Sequence, residues 1–164
     1  MEWLLQQYSR LSSGLTGGGW ALPLRMIVGY GFMEHGWAKL ARGPESFAGI
    51  LQALGMPAPE LLSWTTIAVE LGGGLAVLLG FVVPVATIPM MFVLLVAIFT
   101  VHLPNGFSSI KLQSVTAAGA HFGQPGYETD LLYAAALVAL VLGGSGPLSI
   151  DRWLLRRPQP VSDR

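Results

Sequence analysis

Glu34, His35, Glu70 and His102 are the residues of this sequence whose types suit chemistry and whose surroundings make them costly to keep. Carboxyl and imidazole groups exchange protons near neutral pH and hydrogen-bond carbonyl oxygens, the equipment of acid–base work. The first three lie inside long apolar stretches, and His102 lies at the end of another. An ionisable group in a membrane span costs about 2.5–3.5 kcal/mol on insertion scales, so it is expected to face the protein interior beside a partner.

The stretches themselves argue for that setting. The chain has 164 residues, of which 11% are Asp, Glu, Lys or Arg, against about a quarter in a soluble domain. Four segments, at about residues 21–41, 61–83, 85–103 and 129–146, have the length and apolarity that crossing a bilayer requires. Pro84 leaves only a tight turn between the second and third. The expected fold is therefore all-α: one integral membrane domain, a four-helix bundle, with amphipathic interfacial helices beside it. The first such helix is marked by Trp3, Leu4, Tyr8, Leu11 and Leu15; the second by Phe47, Ile50, Leu51 and Leu54, which recur at i, i+3, i+4 and i+7. Glu45 and Ser46 open that second helix, and Gly55 with Pro57 stops it. The first apolar segment reads as a retained anchor, since little positive charge precedes it and no small-x-small site follows.

Orientation follows from the basic residues. Arg10, Arg152, Arg156, Arg157 and Arg164 fall on one side, and Lys39, Arg42 and Lys111 on the other. That bias puts both termini in the cytoplasm and the loops at 42–60 and 104–128 outside.

A rise of about 1.5 Å per residue sets the depth of each polar group. Glu34 falls roughly 4.5 Å and Glu70 about 3 Å to the outer side of their helix midpoints, with His35 about 1.5 Å beyond Glu34. The two carboxylates are expected to meet, and His102 to approach from above, under a cover of Phe32, Trp37 and Trp64. Gly72, Ala76 and Gly80 form a small-residue ridge for helix packing, and Gly73 and Gly74 leave the face bearing Glu70 without bulk. Arg25, Gly29, Phe32 and Gly36 share a stripe about 180° from Glu34. Arg25 either snorkels at the cytoplasmic side or meets another span, and Lys39 snorkels to the outer interface. His121 is expected to be solvated, and Glu128 to anchor the last span at the interface.

Several site types are set aside. There are no cysteines, which excludes disulfides, thiolate metal sites and thiol catalysis within the chain. A P-loop and a His-Glu-x-x-His zinc motif are missing. Glu34-His35 lacks the Glu-x-x-His spacing of di-iron carboxylate sites, and the depths of His35 and His102 differ by about 6 Å, which makes a shared haem iron awkward. No metal site is assigned. A net charge of zero gives no sign of a nucleic-acid partner.

In order along the chain stand Gly31-Phe-Met-Glu-His-Gly-Trp-Ala-Lys39, Leu-Gly-Met-Pro-Ala-Pro59, Val69-Glu-Leu-Gly-Gly-Gly74, Val101-His-Leu-Pro-Asn-Gly-Phe107 and Gly126-Tyr-Glu128. This series resembles the DoxX family over about residues 22–151. The resemblance implies a small four-helix protein of the bacterial inner membrane, related to DoxD-type subunits that link thiosulfate oxidation to quinone. On that footing the function expected is a membrane subunit of a quinone-linked redox or oxidative-stress system. Quinone is the candidate cofactor, and Glu34, His35, Glu70 and His102 are the site. Expected partners are the lipid bilayer, a soluble or membrane redox protein, and a second copy of the chain. Two other readings compete: a small-molecule or proton-coupled transporter using the carboxylates as a relay, and a non-catalytic scaffold for a soluble enzyme.

Overall fold

The computed structural model describes residues 19–155. The amphipathic face expected between Trp3 and Leu15, and the arginines at 156, 157 and 164, lie outside the described residues.

Four long helical rods dominate. The first, α1, is Ala21–Arg42. It ends at Gly43, whose φ of 91° turns the chain, and Pro44 at the start of α2 (Pro44–Ala53) fixes the new direction. This α2 is the short amphipathic helix; Ala48 and Leu51 are buried beneath it. The second rod, α3 (Pro59–Leu79), begins on Pro59 after left-handed Ala58. At its other end Gly80 adopts a left-handed conformation (φ 66°), and Phe81 N–H returns to the Ala76 carbonyl at 2.8 Å, a glycine C-cap. Val82 and Pro84 then start the third rod, α4 (Val83–Asn105), so the connection is as short as Pro84 suggests. The fourth rod is α5 (Glu128–Gly143), followed by a short α6 (Ile150–Leu155).

The rods form a ring. Helix α1 packs on α3 and α5, and α4 packs on α5 and on the 69–79 part of α3. Val28, Val77, Met90, Leu137 and Leu140 are buried in the middle. The outward faces are apolar as well: Ile27, Ile88, Phe92, Phe99 and Leu132 are all exposed. Apolar residues inside and out suit a chain whose solvent is lipid. Two of the rods, α3 and α4, are long and apolar enough to cross a membrane. Helix α1 carries four charges and α5 has 16 residues.

The loop between α4 and α5 corrects the all-α expectation. It contains an antiparallel hairpin, β1 (Leu112–Thr116) with β2 (Gly119–Phe122), paired Leu112 to Phe122 and Val115 to Ala120. A register shift between Leu112 and Ser114 breaks the two-residue alternation by which a strand announces itself. The hairpin is exposed throughout, and His121 on it is exposed as expected.

At the end of the ring opposite the hairpin, Arg25 is buried and ties three segments together. Its guanidinium donates to the carbonyls of Val77 (3.2 Å), Leu78 (2.9 Å), Ser145 (2.7 Å) and Leu148 (2.8 Å). Two of those acceptors close the C-terminal turn of α3 and the others follow α5, where unpaired carbonyls and the negative end of the helix dipole favour a cation. Of the two roles expected for Arg25, the structure shows the one that meets another span.

Candidate functional site

Glycine decides how close α1 comes to α3. A Cβ on Gly29 would lie 2.7 Å from the Gly74 carbonyl oxygen, and one on Gly74 would lie 2.7 Å from that of Gly29. At Gly36 a Cβ would meet Leu71 and the Glu70 side chain at 2.9–3.0 Å. These contacts need residues without bulk. Of the ridge expected through Gly72, Ala76 and Gly80, Gly72 faces open space, whereas Gly80 lies against Arg25 and Ser149; Gly74 makes the close approach to α1, and Gly73 lies against Met90 of α4.

This crossing brings Lys39 over Glu70. The ammonium donates to both carboxylate oxygens at 2.7 Å, with the Glu70 side chain 6% and that of Lys39 21% exposed. The same ammonium lies 5.1 Å from the Phe47 ring centroid of α2, within cation–π range. Lys39 therefore does not snorkel away; it neutralises the buried carboxylate. Glu70 belongs to a π-helical turn, Val69–Gly73, set into α3. Such a turn inserts a residue into the helix and re-aims the side chains on it.

A second pair faces the first. His102 also sits on a π-helical turn, Ile98–His102, in α4, and its Nδ1 lies 2.5 Å from Asp130 Oδ2 on the first turn of α5. Nδ1 donates to the carboxylate, which leaves Nε2 for a ligand. Asp130 was not among the sequence candidates. It looks like an ordinary acid favourable to a helix start, and only its position near the depth of His102 could have singled it out.

Both pairs line one cavity of about 430 Å³ at the hairpin end of the ring. His35 joins them, with Thr66, Thr100 and Tyr133. Apart from Thr129 the remaining wall is apolar, most of it from Phe32, from α2 and from α4. Phe32 packs edge-on against Tyr133, with ring centroids 5.6 Å apart. Helix α2 thus contributes Phe47, Ile50, Leu51 and Leu54 to the cavity wall. Of the four residues expected to form the site, His35, Glu70 and His102 line this space. Glu34 does not: it is exposed on the outward side of α1, with the Tyr30 hydroxyl beside it. Trp37 and Trp64, expected as a cover, are 60% and 55% exposed on outward faces, while Phe32 is buried. Glu128 accepts a hydrogen bond from Ser109 N–H at 3.0 Å and fastens the hairpin loop to α5. Among the described residues no three His, Asp or Glu side chains gather as a metal-binding group.

A helical membrane protein with a polar-floored cavity between its helices is the class that fold and site define. Within that class the chain belongs to the DoxX family, whose model matches residues 20–103 and so takes in Lys39, Glu70 and His102. The chain is also similar to an uncharacterized membrane protein of Mycobacterium tuberculosis (strain ATCC 25618 / H37Rv), 29% identical over 138 residues covering 82% of this chain and 80% of the relative. No solved structure matches it.

Proposed function

We propose that all four rods cross the bacterial plasma membrane with both termini in the cytoplasm, and that the cavity in the outer half binds a quinone for a membrane-bound redox system. The observation that carries this reading is the convergence of two acid–base pairs, Lys39–Glu70 and His102–Asp130, on one largely apolar cavity. A quinone ring needs apolar walls for its faces and polar groups at its two oxygens. Its reduction takes up two electrons and two protons. His102, oriented by Asp130, is the group placed to meet one oxygen through Nε2, donating to it when the ring carries both protons; Lys39 and Glu70 offer a donor and an acceptor for the other. The electrons are assigned to a redox partner protein. Co-purification tests the reading. Protein extracted in mild detergent should carry quinone in an organic extract, and His102→Ala should lower the quinone content roughly tenfold, the effect of one strong hydrogen bond. Protein that carries no quinone and takes up none when it is added back removes this function.

A further inference from the structure

We infer that the cavity is reached from the lipid, through a gap between the outer halves of α3 and α4, and that it takes an uncharged lipid-soluble ligand. The inference rests on the reading of the cavity as a binding site, but not on the ligand being a quinone.

The charge balance comes first. Every carboxylate in the cavity already has a basic partner, Glu70 in Lys39 and Asp130 in His102, and each basic group of these pairs is committed in turn. No ammonium is left over to hold an anion, and no carboxylate to hold a cation. His35 and Tyr133 are the remaining titratable side chains on the wall; His35 is exposed, and a phenol supplies no counter-charge at neutral pH. An ionised ligand taken out of water would have to break one of these pairs to find a counter-charge, and burying an unmatched charge is strongly unfavourable. An uncharged ligand with hydrogen-bonding oxygens breaks nothing.

The route follows from where the rods touch. Helices α3 and α4 are in contact along 69–79, where Gly73 lies against Met90. Beyond that contact they separate towards the hairpin end. Leu62 and Thr66 of α3 and Val96 and Thr100 of α4, all outside that contact, line the cavity together. Its wall includes side chains that are open to the outside of the ring, Phe92 at 67% and Ile50 at 54%. These are apolar, so the opening is a doorway into hydrocarbon, with Ile50 of α2 on its rim. Hydrated ions meet an apolar rim there, whereas a lipid-soluble molecule meets a continuation of its own solvent.

The test uses the full-length chain in detergent and three probes: decyl-benzoquinone, the same ring bearing a carboxylate, and the uncharged non-quinone decylphenol. Binding is followed by equilibrium titration, at equal probe-to-detergent ratios. The uncharged quinone should bind at least about tenfold more tightly than its carboxylate analogue, one charge-burial penalty of the smallest useful size. Val96→Trp and, on the facing rod, Leu62→Trp should each weaken that binding by about tenfold or more through filling the gap. Val85→Trp, on the outward face of α4, should not. Equal or tighter binding of the carboxylate analogue overturns the inference, as does unchanged affinity in both gap variants with melting curves like the parent's. If decylphenol binds through the gap and the quinone does not, the quinone reading falls and this one stands. If no uncharged probe binds, both fall.

Discussion

Lys39 and Glu70 hold two charges in a place where neither is stable alone. The carboxylate is almost fully enclosed and has both oxygens at 2.7 Å from one ammonium. Removing one member of such a pair strands the other, at a cost of about 3–5 kcal/mol for full burial, whereas replacing both with apolar groups is often close to neutral. Lys39 is partly exposed, so Lys39→Met is expected to cost roughly 3 kcal/mol, at the lower end of that range. The double variant Lys39→Met/Glu70→Leu should recover most of it. Thermal unfolding in detergent, set out as a double-mutant cycle, measures the coupling; additive losses would mean that the pair contributes nothing as a pair. Glu34 makes the contrast. Because it faces outward, Glu34→Gln should leave quinone binding within about twofold, while Asp130→Asn, which loses a charge-assisted bond to His102, should weaken it by roughly tenfold or more. Titration of the purified variants decides between them. That Glu70 meets α1 near Glu34 was legible in the sequence because rise per residue is fixed: Gly36 lies against Glu70. Which way Glu34 points was readable too, from the stripe of Arg25, Gly29, Phe32 and Gly36: all four are buried, and Glu34 lies on the far side of the helix from them. Lys39, five residues on, comes round to the buried side.

At the scale of elements, the site depends on helices that approach by their backbones. The mutual 2.7 Å approach of Gly29 and Gly74 leaves no space for a side chain, and the blocking atoms are carbonyl oxygens that cannot swing aside. Gly29→Val should therefore force α1 off α3, destabilise the protein by about 1–3 kcal/mol through overpacking, and pull Lys39 from Glu70. Gly72→Ala meets nothing within 4 Å and should be neutral or stabilising by up to about 1 kcal/mol. Unfolding curves of the two variants check this; equal losses would show that the crossing is loose. Apolar length made the rods readable from sequence, and Pro84 marked the turn between the second and third. The two π-helical turns at Val69–Gly73 and Ile98–His102 were not readable, because one inserted residue leaves composition and apolarity unchanged. The same holds for the hairpin. Its bulge at Gln113 puts Leu112 and Val115 on one face although they are three residues apart, a spacing that reads as helix or loop.

At the scale of the whole molecule, the claim that four rods cross rests on what happens to the charges in α1 and α5. Helix α1 does not have the apolarity of a free-standing span, since it contains Arg25, Glu34, Lys39 and Arg42. Yet Arg25 is enclosed by four carbonyls and Lys39 is paired with Glu70, so two of the four charges are matched inside the ring, while Glu34 and Arg42 are exposed. Helix α5, at about 24 Å for 16 residues, is short of a hydrocarbon core of about 30 Å, but it lies between α1 and α4 and its one buried acid, Asp130, is held by His102. If both cross, the hairpin and the segment after α5 lie on opposite faces of the membrane, and the positive cluster from Arg152 onward puts the second in the cytoplasm. The chain has no cysteine, so single introduced thiols report without background. In intact cells, a membrane-impermeant maleimide should label Ala118→Cys at the hairpin turn and should leave Leu148→Cys, exposed just after α5, unlabelled until the cells are opened. Labelling of both from outside would show that α5 does not cross, and the cavity between α1, α3, α4 and α5 would then have to form outside the hydrocarbon, where an access route from lipid has no meaning.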